Sequence, residues 1–315
     1  MRVLVTGGAG FIGSHLVDAL LDRGNEVAVA DHLNRSPKRW FGEALLRGAQ
    51  LYVADVRDLS AIRPAFEAAR PEVVLHLAAQ VDVRASIADP AFDAHVNVAG
   101  TVSVLEAARE VGARRVVMAS TAAVYGDPEA VPTSEDAPIA PLSPYGTSKA
   151  AAEWYLAQYS RLHSMSTVAL RMANVYGPRQ DPQGESGVVS IFSGNAASGA
   201  RATIFGDGCQ TRDYVFVDDV VDAWLAAAAS DVTGALNIST GIETSVRELA
   251  EALDLAYDFA PGRVGEIERS CLDPSAAAAE LGWRAAVPLA NGLRRTLGAV
   301  PSEVSRQAPA APGVP

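Results

Sequence analysis

Cysteine is nearly missing from this chain. Its two residues, Cys209 and Cys271, stand apart in 315 and form no CxxC pattern, so neither a disulfide framework nor a thiolate zinc centre is expected. The five histidines, His15, His32, His76, His95 and His163, show no pairing at metal-ligand spacing. Long apolar runs are also missing, since none approaches the ~18 residues that span a bilayer. At the N-terminus Arg2 is followed at once by Val3-Leu4-Val5 and then glycines, which does not read as a signal peptide. Basic residues are in the minority, 26 Lys and Arg against 37 Asp and Glu, for a formal charge of -11 and a pI near 4.9. That balance argues against nucleic acid or an anionic membrane as a bulk partner. The expectation is a cytoplasmic, metal-free protein in which any bound phosphate is held by local groups. With 315 residues and 49% hydrophobic content, the chain can build two domains around a large core.

The first half alternates. Arg2 to Thr6 reads as a buried strand, Gly7 to Gly13 as a glycine turn, and Phe11 to Arg23 as an amphipathic helix ended by Gly24. Strands follow at Glu26–Ala30, Gln50–Ala54, Val73–Leu77, Arg115–Ser120 and Thr167–Arg171, with helices at Leu59–Ala69, Phe92–Val111 and from Tyr145. Uninterrupted apolar strands point to a parallel sheet covered on both faces, so the fold class is α/β, a doubly wound (Rossmann) sheet. A Pro-rich loop runs from Asp127 to Pro144. After Pro178 the alternation fails: a helix is expected over Val188–Ser198, strands at Thr203–Phe205 and Arg212–Val217, a helix over Val220–Ala229, and a strand at Ala235–Ile238 that returns to the main sheet. The expected division is residues 1–177 with 216–240 as the dinucleotide-binding domain and 178–215 with 241–300 as a smaller, discontinuous α+β substrate domain. Residues 301–315, rich in Pro, Ala, Ser and Gly, read as a solvated tail.

Two local patterns carry chemistry. The run Gly7-Gly8-Ala9-Gly10-Phe11-Ile12-Gly13 lies between the first strand and first helix, where a glycine turn lets backbone approach a pyrophosphate at the helix N-terminus. Its spacing is GxxGxxG rather than GxGxxG. Asp31 ends the second strand, where a carboxylate accepts hydrogen bonds from an adenosine ribose and repels a 2'-phosphate; this favours NAD over NADP, with Arg35 as the counter-signal. Asp31 as a simple turn cap is the plainer alternative. In the second pattern, Tyr145-Gly146-Thr147-Ser148-Lys149 puts a phenol and an ammonium on one helix face. A nearby positive charge favours the phenolate, which makes a general base for a hydroxyl.

With these features read, the chain resembles the extended short-chain dehydrogenase/reductases, in particular their nucleotide-sugar 4-epimerases, from Met1 to about Gly298. The resemblance is carried by Thr6 to Gly13, Asp55-Val56-Arg57-Asp58, His76-Leu77-Ala78-Ala79-Gln80, Asn97, Ser120 to Gly126, the Tyr145/Lys149 pair, Arg171 to Pro178, Gly206-Asp207-Gly208, Arg212-Asp213-Tyr214 and Arg263-Val264-Gly265-Glu266. It implies that Gly7, Gly10, Phe11, Ile12, Gly13, Asp31, Asp55, Val56, Leu77, Ala78, Ala79, Asn97, Ser120, Tyr145 and Lys149 bind NAD. It also implies that Asn174, Arg212 and Arg263 hold the diphosphate of a nucleotide sugar, with Val188 beside them; paired charge-assisted bonds suit arginine to that work. Arg84, Ser86 and Arg179 are candidates for reading the sugar. Ser270, seven positions after Arg263, stands where the family's 4-epimerases border the hexose, and a small residue there admits an N-acetyl or other enlarged substituent. His76 reads better as a core histidine than a catalyst, and Asp213 as a residue orienting Arg212.

The implied reaction uses Thr121, Tyr145 and Lys149. The family's dehydratases carry acidic residues where this chain has Ala122-Ala123, so proton removal at C5 has no agent. Tyr145 would take the 4-hydroxyl proton while C4 gives hydride to NAD, the 4-keto sugar would turn, and hydride would return to its other face. Thr121 would bridge Tyr145 and the sugar oxygen, while Lys149 would lower the tyrosine pKa. The partner is a nucleotide-diphosphate sugar, UDP-linked by the resemblance, carrying a plain hexose, an N-acetylhexosamine or a uronic acid. A 4-ketosugar reductase and a non-catalytic dinucleotide sensor are the alternatives. A homodimer is expected through the helices over Phe92–Val111 and Tyr145–His163, the second bearing Trp154, Tyr155 and Tyr159.

Overall fold

The computed structural model describes residues 1–34, 38–181, 187–263 and 267–299. Arg35, Val264 to Glu266 and the tail from 301 lie outside the described residues.

Alternating strands and helices begin at the first residues. β1 (Arg2–Thr6), α1 (Phe11–Asp22), β2 (Glu26–Asp31), α2 (Lys38–Leu46), β3 (Gln50–Val53), α3 (Leu59–Ala69) and β4 (Val73–His76) follow one another. The expected single helix over Phe92–Val111 is composite. A short α4 (Val83–Ala88) precedes it, and it consists of α5 (Pro90–Ala94), one π-helical turn (His95–Ala99) and α6 (Gly100–Glu110). Next come β5 (Arg115–Thr121), α7 (Pro144–His163) and β6 (Ser166–Met172). The Ser143 side chain accepts from the Gly146 N–H at 3.1 Å and Pro144 takes the first turn, so α7 starts where Tyr145 and Lys149 become one-turn neighbours.

The second half is built from shorter pieces. β7 (Asn174–Tyr176), α8 (Val188–Ser198), β8 (Ala202–Phe205), β9 (Thr211–Arg212), β10 (Tyr214–Phe216) and α9 (Val217–Ala229) lead to β11 (Gly234–Ile238). Then come β12 (Thr244–Ser245), α10 (Val246–Ala252), β13 (Tyr257–Ala260), β14 (Arg269–Ser270), α11 (Ser275–Leu281) and α12 (Leu289–Gly298). The expected strand Arg212–Val217 breaks at Asp213, because β9 pairs with β12 and β14 while β10 pairs with β7.

Seven strands form one parallel sheet in the order β11-β6-β5-β4-β1-β2-β3. β11 does return to it, pairing Gly234 with Val168 through Ile238 with Met172. The order reverses between β1 and β4, and a crevice outside the carboxyl ends of the strands at such a switch point is where ligands bind. One face packs on α1 and α9, around Leu16, Leu20 and Trp224; the other packs on α3, α6 and α7, around Phe66, Leu105 and Leu156. A third cluster (Phe192, Ile204, Phe216, Leu249) holds the second half. Each fully buried side chain of this size contributes roughly 1.5–3 kcal/mol, so the strand ends beside the crevice are held rigidly. Among the described residues no helix is long and apolar enough to cross a membrane.

Candidate active site

A cavity of about 640 Å³ opens at the carboxyl ends of β1, β2, β4 and β5. Its floor is the glycine turn. Gly7 adopts φ +71°, and a Cβ there would sit 2.7 Å from the Ala78 nitrogen; a Cβ on Gly13 would sit 2.2 Å from the Gly7 carbonyl oxygen. Only glycine lets β1, the first turn of α1 and the loop after β4 approach so closely. The N-terminus of α1 has no side-chain cap and no acidic residue in its first turn, which leaves helix-start N–H groups and the positive end of the dipole for an anion.

Asp31 does two jobs. Its carboxylate accepts from the Ala9 N–H at 3.1 Å and the Leu33 N–H at 2.8 Å, bracing the glycine turn against the end of β2, and it lines the cavity. The turn-cap reading and the ribose reading are therefore compatible, since carboxylate oxygens have acceptor capacity to spare. Further out, Asp55 is gripped by Arg57 at 2.6–3.0 Å, which holds its carboxyl below the usual range. Arg57 also lies over the Phe92 ring at 5.2 Å, making an edge suited to a flat aromatic ligand.

Thr121, Tyr145 and Lys149 meet on the opposite wall. The Thr121 hydroxyl accepts from the Ala123 N–H at 3.2 Å and hydrogen-bonds the Tyr145 phenol in the sense that favours its ionised form. Burial nevertheless pushes the phenol up to about 12, and Asp93 adds to the rise. Desolvation is the largest influence on the phenol in this structure, ahead of the Thr121 hydrogen bond that opposes it. The Lys149 ammonium, 5% exposed, donates to the Ala119 carbonyl at 3.0 Å. Burial lowers it to about 8, against the pull of Asp93 and Glu153.

The cavity wall includes Gly7, Gly10, Phe11, Ile12, Gly13, Asp31, Asp55, Val56, Leu77, Ala78, Ala79, Ser120, Thr121, Tyr145, Lys149, Asn174 and Val188. Asn97 lies behind it. On its π-helical turn it accepts from the Gln80 N–H at 2.8 Å and donates to the Gln80 carbonyl at 3.0 Å, so it pins the loop after β4 rather than facing the cavity. Ser86 turns its hydroxyl back to the Val83 carbonyl at 2.7 Å and is fully buried, while Arg84 is exposed on α4; neither reaches the cavity wall. Arg179 pairs with Asp18 of α1 at 2.7 Å and is not part of the cavity wall. Arg212 and Ser270 are register partners in the β9–β14 pair, and Arg263 stacks 3.8 Å over Phe205. All three stand outside the cavity wall in this structure. Asp213 spends its carboxylate on Thr240 and Gly241 at 2.7–3.0 Å, so its hydrogen bonds anchor a turn. His76 is a core residue, bridged between Thr6 at 2.7 Å and Thr101 at 3.0 Å and held neutral by burial, at about 3.

Sequence reasoning passed over several residues. Glu153 accepts from Ser120 Oγ at 2.5 Å and from Arg171 at 2.7–3.0 Å, and Arg171 reaches the Tyr125 hydroxyl at 2.8 Å. This buried chain of charge-assisted bonds fixes the end of β5 behind Thr121. Its signal was present: Glu153 follows Lys149 by one helical turn. Gln180 and Tyr214 also line the cavity, and the Tyr214 hydroxyl and Gln180 Oε1 are buried without a hydrogen-bond partner among the described residues.

The chain matches the model of the NAD dependent epimerase/dehydratase family over residues 3–239, ending just past β11. It is similar to a UDP-glucose 4-epimerase of Mycolicibacterium smegmatis, 48% identical over 308 residues that cover 94% of this chain and 97% of that protein. Among solved structures it resembles the UDP-glucose 4-epimerase of Thermotoga maritima with UDP-glucose, with TM-score 0.91 and 41% identity over 95% of this chain and 98% of that one. The UDP-glucose 4-epimerase of Thermus thermophilus in complex with NAD gives TM-score 0.88 and 44% identity, again over 95% and 98%. A family match spanning the whole seven-stranded sheet, together with relatives that agree nearly end to end, makes this chain a member of the NAD-dependent epimerase/dehydratase family.

Proposed function

We propose that this chain is an NAD-dependent 4-epimerase of a nucleotide-diphosphate sugar with UDP as the nucleotide, working through a transient 4-keto sugar. The reading rests above all on one observation: the glycine turn and the Thr121–Tyr145–Lys149 group share a single cavity. The residues fit NAD, since the cradle at Gly7 and Gly13 has no room for a Cβ and α1 offers an uncapped N-terminus. Gly10 to Gly13 hold the pyrophosphate, Asp31 the adenosine ribose, and Lys149 the nicotinamide ribose. NAD, when bound, supplies a reversible hydride acceptor at sugar C4.

Tyr145 takes the proton of the sugar 4-hydroxyl and later returns it. Burial, which raises its pKa, makes it a reluctant base on its own. Thr121, with its oxygen already engaged by the Ala123 N–H, keeps its own proton directed at the phenol and links it to the sugar. Lys149 contributes positive charge that counts most once water is excluded. Between the two transfers the sugar turns, presenting its other face. Asn174, Val188, Arg212 and Arg263 hold the UDP diphosphate and its surroundings, and Ser270, paired with Arg212, leaves space for a substituted sugar. Because Arg212 and Arg263 stand back from the cavity wall, substrate binding is expected to draw them in. Purified protein given UDP-glucose, UDP-galactose and their N-acetylated counterparts, with no reductant, should interconvert C4 epimers. A strict need for reduced cofactor would instead establish the reductase.

Residues 1–177 with 216–240 form the cofactor domain in this reading, and 178–215 with 241–300 the sugar domain. The protein is a homodimer through α5–α6 and α7, which expose Phe92, Trp154 and Tyr155. Tyr159 does not contribute, because it is buried and bonds Glu106 of α6. A monomer by light scattering at micromolar concentration would refute the dimer. A cytoplasmic location is consistent with two free cysteines, one of them exposed.

A further inference from the structure

Asp93 is a buried carboxylate for which the mechanism above has no use. It lies on α5 at 1% exposure. Its Oδ1 accepts from the Gln80 side-chain amide at 3.0 Å and from the Asn97 amide at 3.2 Å, while Oδ2, equally buried, accepts no hydrogen bond among the described residues. A carboxylate left half satisfied in a dry setting is costly unless a positive charge compensates it. α5 packs against α7, and Asn97, which donates to Asp93, also donates at 3.0 Å to Ser148, the residue before Lys149; there the Asp93 charge favours the Lys149 ammonium, which donates to the Ala119 carbonyl.

We infer that Asp93 is a positioning residue for the reaction: its buried carboxylate is the counter-charge of the Lys149 ammonium and, through Gln80 and Asn97, the peg that fixes the loop lining the cofactor side of the cavity. The inference rests on the proposed role of Lys149. Asp93 acts on both members of the catalytic pair, holding Lys149 charged and making Tyr145 harder to ionise. The groups around the pair are Tyr145, Lys149 and Glu153 on α7 and His76 on β4, the last held neutral by burial. Next to Asp93 itself, Asp82 and Asp89 cap helix starts, and Arg84 and His95 are exposed.

The chain has only two lysines, Lys38 and Lys149. Protein labelled with 13C at the lysine ε-carbon therefore gives two titrating signals, assigned with Lys38→Arg. Asp93→Asn keeps an acceptor oxygen for Gln80 and Asn97, removes the charge and puts an amide nitrogen in place of Oδ2. The Lys149 midpoint should then fall by about 1 to 3 pH units, and the alkaline limb of kcat/KM should fall with it. An unchanged midpoint overturns the inference, whatever the activity of the variant. Because the titration reads Lys149 directly, it stays informative if the proposed reaction is wrong. Should Asp93→Asn not fold, melting temperatures decide: Asp93→Asn/Lys149→Met, with both charges gone, should melt above Lys149→Met, and a double variant melting below it overturns the pairing.

Discussion

The two sides of the cleft are built on different principles. On the wall with the glycine turn much of the lining comes from the ends of apolar parallel strands: Gly7 after β1, Asp31 at the end of β2, Ala78 after β4, Thr121 at the end of β5. On the side proposed for the sugar, Arg212 and Ser270 sit on two-residue strands, and the Arg263 guanidinium lies over the Phe205 ring. The first side is rigid before any ligand arrives. If the second holds the sugar as proposed, Arg212 and Arg263 have to approach the cavity on binding, which suits a reaction whose sugar turns while its nucleotide stays put.

Substitutions on the two sides should fail differently. The largest loss is expected from Gly13→Ala, whose Cβ has no room against the Gly7 carbonyl. That protein should purify without NAD and show no turnover, as read by absorbance and assay; full NAD occupancy would mean that the cradle is looser than described. Tyr145→Phe should keep NAD and lose a factor of ~10^2 to 10^4 in kcat. Thr121→Ala should be milder, because a water can replace a hydroxyl. If Tyr145→Phe lost cofactor instead of rate, the division between holding and chemistry would not stand. Asp31→Ala should erode the preference for NAD over NADP by about tenfold, the worth of one charge-assisted hydrogen bond of ~1.5 kcal/mol, and competitive binding measures it. Ser270→Tyr is expected to do least to a plain hexose and most to an N-acetylated one. Equal change in KM for both would remove Ser270 from the sugar pocket.

The same contrast decided what could be read in advance. β1 to β6 announce themselves as apolar runs bounded by glycine or helix, and β11 was legible because it too is buried in the parallel sheet. β9, β12 and β14 are two residues long, too short to show a period, and the break at Asp213 depends on which partner each segment finds. At the site, the glycine turn, Asp31 and the Tyr145/Lys149 pair were legible because local spacing fixes them. Asp93 and Glu153 were overlooked although each lies one helical turn from a recognised residue, Asn97 and Lys149; nothing local says that their helices press those faces into the core. Ser86 was misjudged for a related reason, because a serine in the first turns of a helix readily bonds back to its own backbone. The phenol's high pKa was likewise invisible, since desolvation depends on packing from the whole fold.

The central claim is that hydride leaves C4 and returns to the same carbon within one active site. UDP-galactose carrying deuterium at C4, incubated with the NAD-loaded protein and no reductant, should yield UDP-glucose that keeps the deuterium at C4, with no accumulation of reduced cofactor. Product in which C4 has exchanged with solvent hydrogen, or deuterium passed to added NAD in bulk, would contradict it.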